Sequence, residues 1–157
     1  MTNSKVESVT QMEELMPLIR EALASGRCVN FSPMGVSMLP MIRQGLDSVT
    51  LAPVSRRLEK YDIPLYRREN RKYVLHRIVA AGDTYTCMGD NQVVAESGLR
   101  QDQMIAVVTA FSRGGREIPV TDFRYRAYCR IWVGILPVRK LYSRVKGKLK
   151  RLLKRLG

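Results

Sequence analysis

From residue 46 onward the chain is cut into short runs of β-branched and aromatic residues by glycine turns, which restricts it to a β-rich fold. The runs "DSVTLAPV", "TYTCM" and "QMIAVVTAF" are too short for ordinary helices. Gly82-Asp83, Gly89-Asp90-Asn91 and Gly114-Gly115 punctuate them, and "REIPVT" follows the last as a further strand. The segment "DIPLYRRENRKYVLHRIVAA" predicts one hairpin turning near Glu69-Asn70-Arg71. With 157 residues and 45% apolar content, the chain suffices for one domain with a buried core. The expected class is mainly β (α+β), with helices at the edge of a compact β domain.

Three segments are expected. Residues 1–27 form an N-terminal helical segment. Thr10 and Glu13 have capping-box spacing, and Met12, Leu15, Met16, Ile19 and Leu23 recur at helical intervals. Gly26 stands where a C-cap belongs, and Pro17 predicts a kink or restart. Residues 28–122 form the main domain, entered by a short strand over 27–32. Residues 123–157 form a basic tail.

Charge separates that tail from the body. Residues 1–122 carry 15 Lys/Arg against 14 Asp/Glu, whereas residues 123–157 carry 12 Lys/Arg and no acid. After Pro137, apolar residues fall at 138, 141, 142, 145, 149, 152, 153 and 156, a helical stripe. Arg139, Lys140, Arg144, Lys146, Lys148, Lys150, Arg151, Lys154 and Arg155 occupy the remaining face. Pro137 suits a first helical turn, and Gly147 weakens the middle by about 1 kcal/mol relative to Ala. A basic amphipathic helix of this kind fits an anionic membrane surface. The neutral body argues against a general nucleic-acid-binding surface.

Cys28, Cys87 and Cys129 show no paired spacing, which fits reduced thiols in the cytoplasm. One histidine and no cysteine pair supply no ligand set for zinc, and no cofactor motif is present. The N-terminal residues show no signal-peptide h-region. The longest apolar stretch, 131–138, is far too short to span a bilayer. The expected location is therefore cytoplasmic, at the inner leaflet of the membrane.

The chemistry centres on "GVSMLP", residues 35–40, and on His76, the single histidine. Taken singly, Ser37 is an ordinary turn residue and His76 an ordinary strand histidine. Taken together they supply a nucleophile and a base, since a serine hydroxyl needs a neighbouring group to accept its proton. Asp90 or Glu96 would then orient the imidazole, and the Ser37 N–H would face the oxyanion. Met34, Met38 and Met41 surround the serine as core residues or as a soft apolar wall.

Four fragments occur in order: "GVSMLP", "LEKYDIPLY", "YVLHRIVAAGD" and "CMGDN". Together they resemble the signal peptidase and LexA-repressor superfamily of serine peptidases, over residues 29–112. The resemblance implies a signal-peptidase/LexA-like β-fold with Ser37 as nucleophile. His76 stands where bacterial signal peptidases use lysine, which is similar to the archaeal and endoplasmic-reticulum branch. Asp90 matches that branch's first acid, and Glu96 falls where it has aspartate. Gly35 replaces a hydroxyl residue that assists the oxyanion hole in the bacterial branch. Gly45-Leu46-Asp47 and Lys60-Tyr61-Asp62 depart from the family's two Gly-Asp turns, by an insertion and by tyrosine for glycine. The implied substrate is an extended leader or precursor peptide, lying along residues 31–35 and the strand near Leu75. Gly35, Val36, Met38 and Leu75 would line its groove. Two alternatives stand beside this: a non-catalytic peptide-binding module, and a basic membrane- or nucleic-acid-binding protein whose body is scaffold. No helix-turn-helix pattern precedes the peptidase-like part, which argues against a repressor.

Overall fold

The computed structural model describes the backbone of residues 3–156 and the side chains of residues 12–146. Among the described residues it is an α+β fold of three α-helices and two antiparallel sheets.

Helix α1 spans Asn3–Ala24, so it starts seven residues before the capping-box pattern at Thr10. No glycine or proline interrupts residues 3–16, and a weak local start signal does not outweigh a continuous helix-compatible run. Pro17 lies inside the helix without ending it. Both Pro17 and Glu13, whose carbonyl loses its partner, are on the exposed side, where water replaces the missing bond. The opposite side buries Met16, Ile19 and Leu23. The C-terminus closes as expected at Gly26 (φ 73°). The Gly26 N–H donates to the Leu23 carbonyl and the Arg27 N–H to the Ala22 carbonyl, a Schellman pair.

The larger sheet contains β1 (Val29–Phe31), β2 (Ser48–Pro53), β3 (Pro64–Arg67), β4 (Tyr73–Leu75), β8 (Met104–Arg113) and β9 (Arg116–Pro119). Its order is β1-β2-β8-β3-β4, with β9 folding back on the far end of β8 through Gly114-Gly115. The smaller sheet runs β5 (Arg77–Ala81), β6 (Tyr85–Met88) and β7 (Glu96–Leu99).

The single hairpin expected over residues 62–81 is corrected here. Tyr73–Leu75 pairs with Pro64–Arg67, but the chain then leaves that sheet, and Arg77–Ala81 pairs with Tyr85–Met88. His76 is the residue between the two sheets. A continuous β-branched run carries no local mark of a change of partner, so the split is decided by long-range pairing.

Leu65 and Tyr66, adjacent in β3, point to opposite faces and join different cores. The larger core lies between the first sheet, α1, the serine loop and helix α2 (Phe123–Gly134), which contributes Tyr125 and Cys129. The second core joins the two sheets through Leu58, Tyr66, Ile78, Tyr85 and Cys87. Helix α2 was not expected within the basic segment. Asp122 caps it by accepting from the Arg124 and Tyr125 N–H groups. Helix α3 (Leu136–Leu156) follows with Pro137 in its first turn. Among the described residues no helix is long and apolar enough to cross a membrane.

The turns at Gly45-Leu46-Asp47 and Lys60-Tyr61-Asp62 are each held by an ion pair. Asp47 receives a two-pronged bond from Arg43, and Asp62 one from Arg56. Tyr61 takes φ 84°, in the left-handed region that favours glycine.

Candidate active site

His76 is positioned by the β5–β6 ladder. Arg77 faces Met88 in that ladder, so the next pair outward sets His76 opposite Gly89. A Cβ at Gly89 would lie 2.6 Å from the Ser37 carbonyl oxygen and 3.1 Å from His76 Nε2. The absence of a side chain at residue 89 is what allows the serine loop and the imidazole to converge. The 89–92 turn also holds that loop: the Asn91 N–H donates to the Ser37 carbonyl at 2.8 Å, and the Asn91 amide to the Val36 carbonyl at 3.2 Å. Ser37 and His76 line one open pocket of about 250 Å³, together with Met34, Gly35, Leu75 and Gln92.

The imidazole is 4% exposed. Burial, reinforced by the Arg68 charge and opposed by Glu96 and Asp90, lowers its pKa to about 4. His76 is therefore neutral near pH 7, the state in which it accepts a proton. Its orientation comes through a residue that sequence reasoning missed. The Tyr66 hydroxyl lies 3.4 Å from His76 Nδ1 and donates to Glu96 Oε2 at 2.9 Å. A phenol has one proton, so with that proton on Glu96 the His76 contact requires Nδ1–H as donor. This leaves the Nε2 lone pair on the side of Gly89 and the serine loop. Burial and the Glu96 bond push the Tyr66 phenol well above the usual tyrosine range, so it stays protonated. Arg68 clamps Glu96 in turn, at 2.7 Å and 3.0 Å.

The two candidate acids thus separate. Glu96 reaches His76 through Tyr66. Asp90 makes no hydrogen bond to His76 among the described residues, which corrects its assignment as orienting acid. Its carboxylate is gripped by Arg77 at 2.8 Å and 2.7 Å and receives the Tyr128 hydroxyl. Alternation along the strand is the reason: His76 points into the cleft, and Arg77 points the other way, under α2. Burial works against the Arg77 charge, but the Asp90 bonds outweigh it and its pKa is raised. Arg77 also contacts Tyr125 and Tyr128.

The other expected residues divide similarly. Met41 is a buried core residue, Met38 is buried but lines the pocket, and Met34 is half exposed in the cleft. Val36 is exposed beside Ser37, and Leu75 is buried at the pocket wall. Gly35 (φ 94°) directs its N–H to the Gln44 side chain at 2.8 Å, so this group is not free to face an oxyanion. Gln92, unanticipated, brings an amide to the pocket, its Oε1 accepting from the Gly89 N–H at 3.4 Å. Arg139 is not a free surface cation. It donates to the Asp90 and Gln92 carbonyls and stacks 4.3 Å over the Trp132 ring. Lys140, Arg144 and Lys146 are exposed on α3, and Lys148, Lys150, Arg151, Lys154 and Arg155 lie outside the described side chains.

An apolar groove of about 640 Å³ lies beside the pocket, lined by α1, β1 and β4. These strands are the two outer strands of the larger sheet, so both present unpaired backbone edges. Met34, Tyr73, Val74 and Leu75 line groove and pocket alike. Comparison with protein-family models, with curated proteins and with solved structures found no match.

Proposed function

We propose that this chain is a serine endopeptidase of the signal-peptidase and LexA-like superfamily, with the corresponding β-fold, and that it cuts an extended leader or precursor peptide. The observation that carries the proposal is the shared open pocket of Ser37 and His76, with His76 Nδ1 tied to Tyr66 and Glu96. Substrate lies along the β1 and β4 edges by strand addition, with small side chains towards Met34 and Leu75. His76 Nε2 removes the Ser37 proton as the hydroxyl attacks the scissile carbonyl. The resulting imidazolium donates its proton to the leaving amine, giving the acyl-enzyme. Water, deprotonated by the same nitrogen, then hydrolyses the ester and restores Ser37. The Ser37 N–H and the Gln92 amide are assigned to the oxyanion. The same proposal assigns the enzyme to the cytoplasm.

The test is labelling with a fluorophosphonate probe and cleavage of candidate precursor peptides by wild type and Ser37→Ala. Labelling and turnover confined to wild type are expected, and equal behaviour of the two proteins would end the proposal. The apolar groove also favours a second reading, a non-catalytic peptide-binding module. Peptide binding by wild type without labelling or turnover would favour that module.

A further inference from the structure

Among the described residues, helix α3 carries an apolar face that is left exposed. Val138, Leu141, Tyr142 and Val145 are each more than half exposed. They fall within roughly a third of the helix circumference at 3.6 residues per turn. The sequence repeats that spacing at Leu149, Leu152, Leu153 and Leu156, along a backbone that is helical to Leu156. The residues between are cations apart from Ser143 and Gly147, and the whole segment after Asp122 contains no acid.

We infer that α3 is a membrane-surface helix that seats the protein on an anionic bilayer, its axis in the plane of the headgroups. Charge complementarity selects this occupant. A second copy would set one acid-free helix against another, and like charges repel. A nucleic acid would use the cations but leave the apolar stripe in water. An anionic lipid surface uses both: the stripe enters the headgroup–acyl boundary while Lys140, Arg144 and Lys146 reach the phosphates. Arg139, in the first turn, bonds the carbonyls of Asp90 and Gln92, which ties the seated helix to the turn beneath Ser37. The inference is independent of the peptidase proposal, because lipid binding requires no turnover.

The test is flotation of the full chain with vesicles of phosphatidylcholine alone and of phosphatidylcholine mixed with phosphatidylglycerol. Binding only to the mixed vesicles, weakened by salt, is expected. Leu141→Ser with Val145→Ser should lower it tenfold or more, on the order expected for two lost apolar anchors. Arg144→Gln with Lys146→Gln should lower it about fivefold per cation. All four positions are exposed, so circular dichroism and thermal melting should be unchanged in these variants. Three results would overturn the inference: no selectivity for the anionic vesicles, binding to RNA but not to vesicles, or a lipid-free dimer that Leu141→Ser dissociates.

Discussion

Two arginine–carboxylate pairs flank His76, and they differ in almost everything except chemistry. Arg77–Asp90 is sealed, with side chains 1% and 2% exposed at 2.7 Å. Arg68–Glu96 has the same length but is 34% and 29% exposed. The sealed pair is wrapped by Tyr125 and Tyr128 and locks the 89–92 turn to the sheet, a structural task. The open pair borders the cleft and reaches the imidazole through a phenol. Proximity to a histidine along the chain therefore does not make a carboxylate its partner. The face of the strand on which each side chain emerges decides that.

The comparison breaks most readily at the sealed pair. Asp90→Ala leaves a buried guanidinium without its counter-charge and should destabilise the fold by about 3–5 kcal/mol, read from urea midpoints. A loss below about 1 kcal/mol would mean that the pair does not hold the turn.

His76 itself supplies the next effect. Its folded pKa of about 4 lies below the ~6.5 of an unfolded histidine, so the unfolded chain binds a proton first as pH falls. Stability is accordingly full above pH ~6.5 and declines as pH falls towards 4, by on the order of 3 kcal/mol. Wild type should show that slope in excess of His76→Asn, and parallel curves would refute it. On the peptidase proposal, the acid limb of kcat/KM should likewise fall well below pH 6.5.

Tyr66→Phe sharpens the difference at the open pair. It removes the link that sets the imidazole tautomer and should lower kcat by about 10²-fold, near 2.7 kcal/mol. The cost in stability should be only about 1 kcal/mol, one hydrogen bond. Unchanged kcat would show that Tyr66 is merely a core residue. The smallest effect belongs to Glu96→Gln, whose partly solvated ion pair with Arg68 should contribute less than about 1 kcal/mol to stability. A loss comparable to that of Asp90→Ala would erase the distinction between the pairs.

Much of the fold was legible in sequence because its signals are local. Glycine turns marked the strands, Gly26 marked the end of α1, and the Gly114-Gly115 hairpin formed as expected. Of the candidate site, the sequence singled out Ser37 and His76, and the fold brings both to the lining of one pocket. Its remaining parts were not legible. Tyr66 reads as a core aromatic in "PLYR", and nothing local says that its hydroxyl joins residues 76 and 96. Gly89 reads as a turn glycine, although its importance is the lack of a side chain where two loops touch. Helix α2 was hidden by the charge of the segment that contains it, since Tyr125 and Cys129 are its only buried positions.

Local chemistry determined by itself the β character of the main domain and the position of several of its strands and turns, the helix stop at Gly26, and the separation of apolar and cationic residues along α3. Those features depend on neighbours within a few positions, where steric and hydrogen-bonding preferences act directly. The tertiary structure alone decided that the strand breaks at His76, that Glu96 and not Asp90 reaches the imidazole, and that Arg139 holds a turn. The last two of these outcomes rest on contacts between residues ten to forty-nine positions apart. Register and face across two sheets settle such meetings, and no short stretch of chain encodes them.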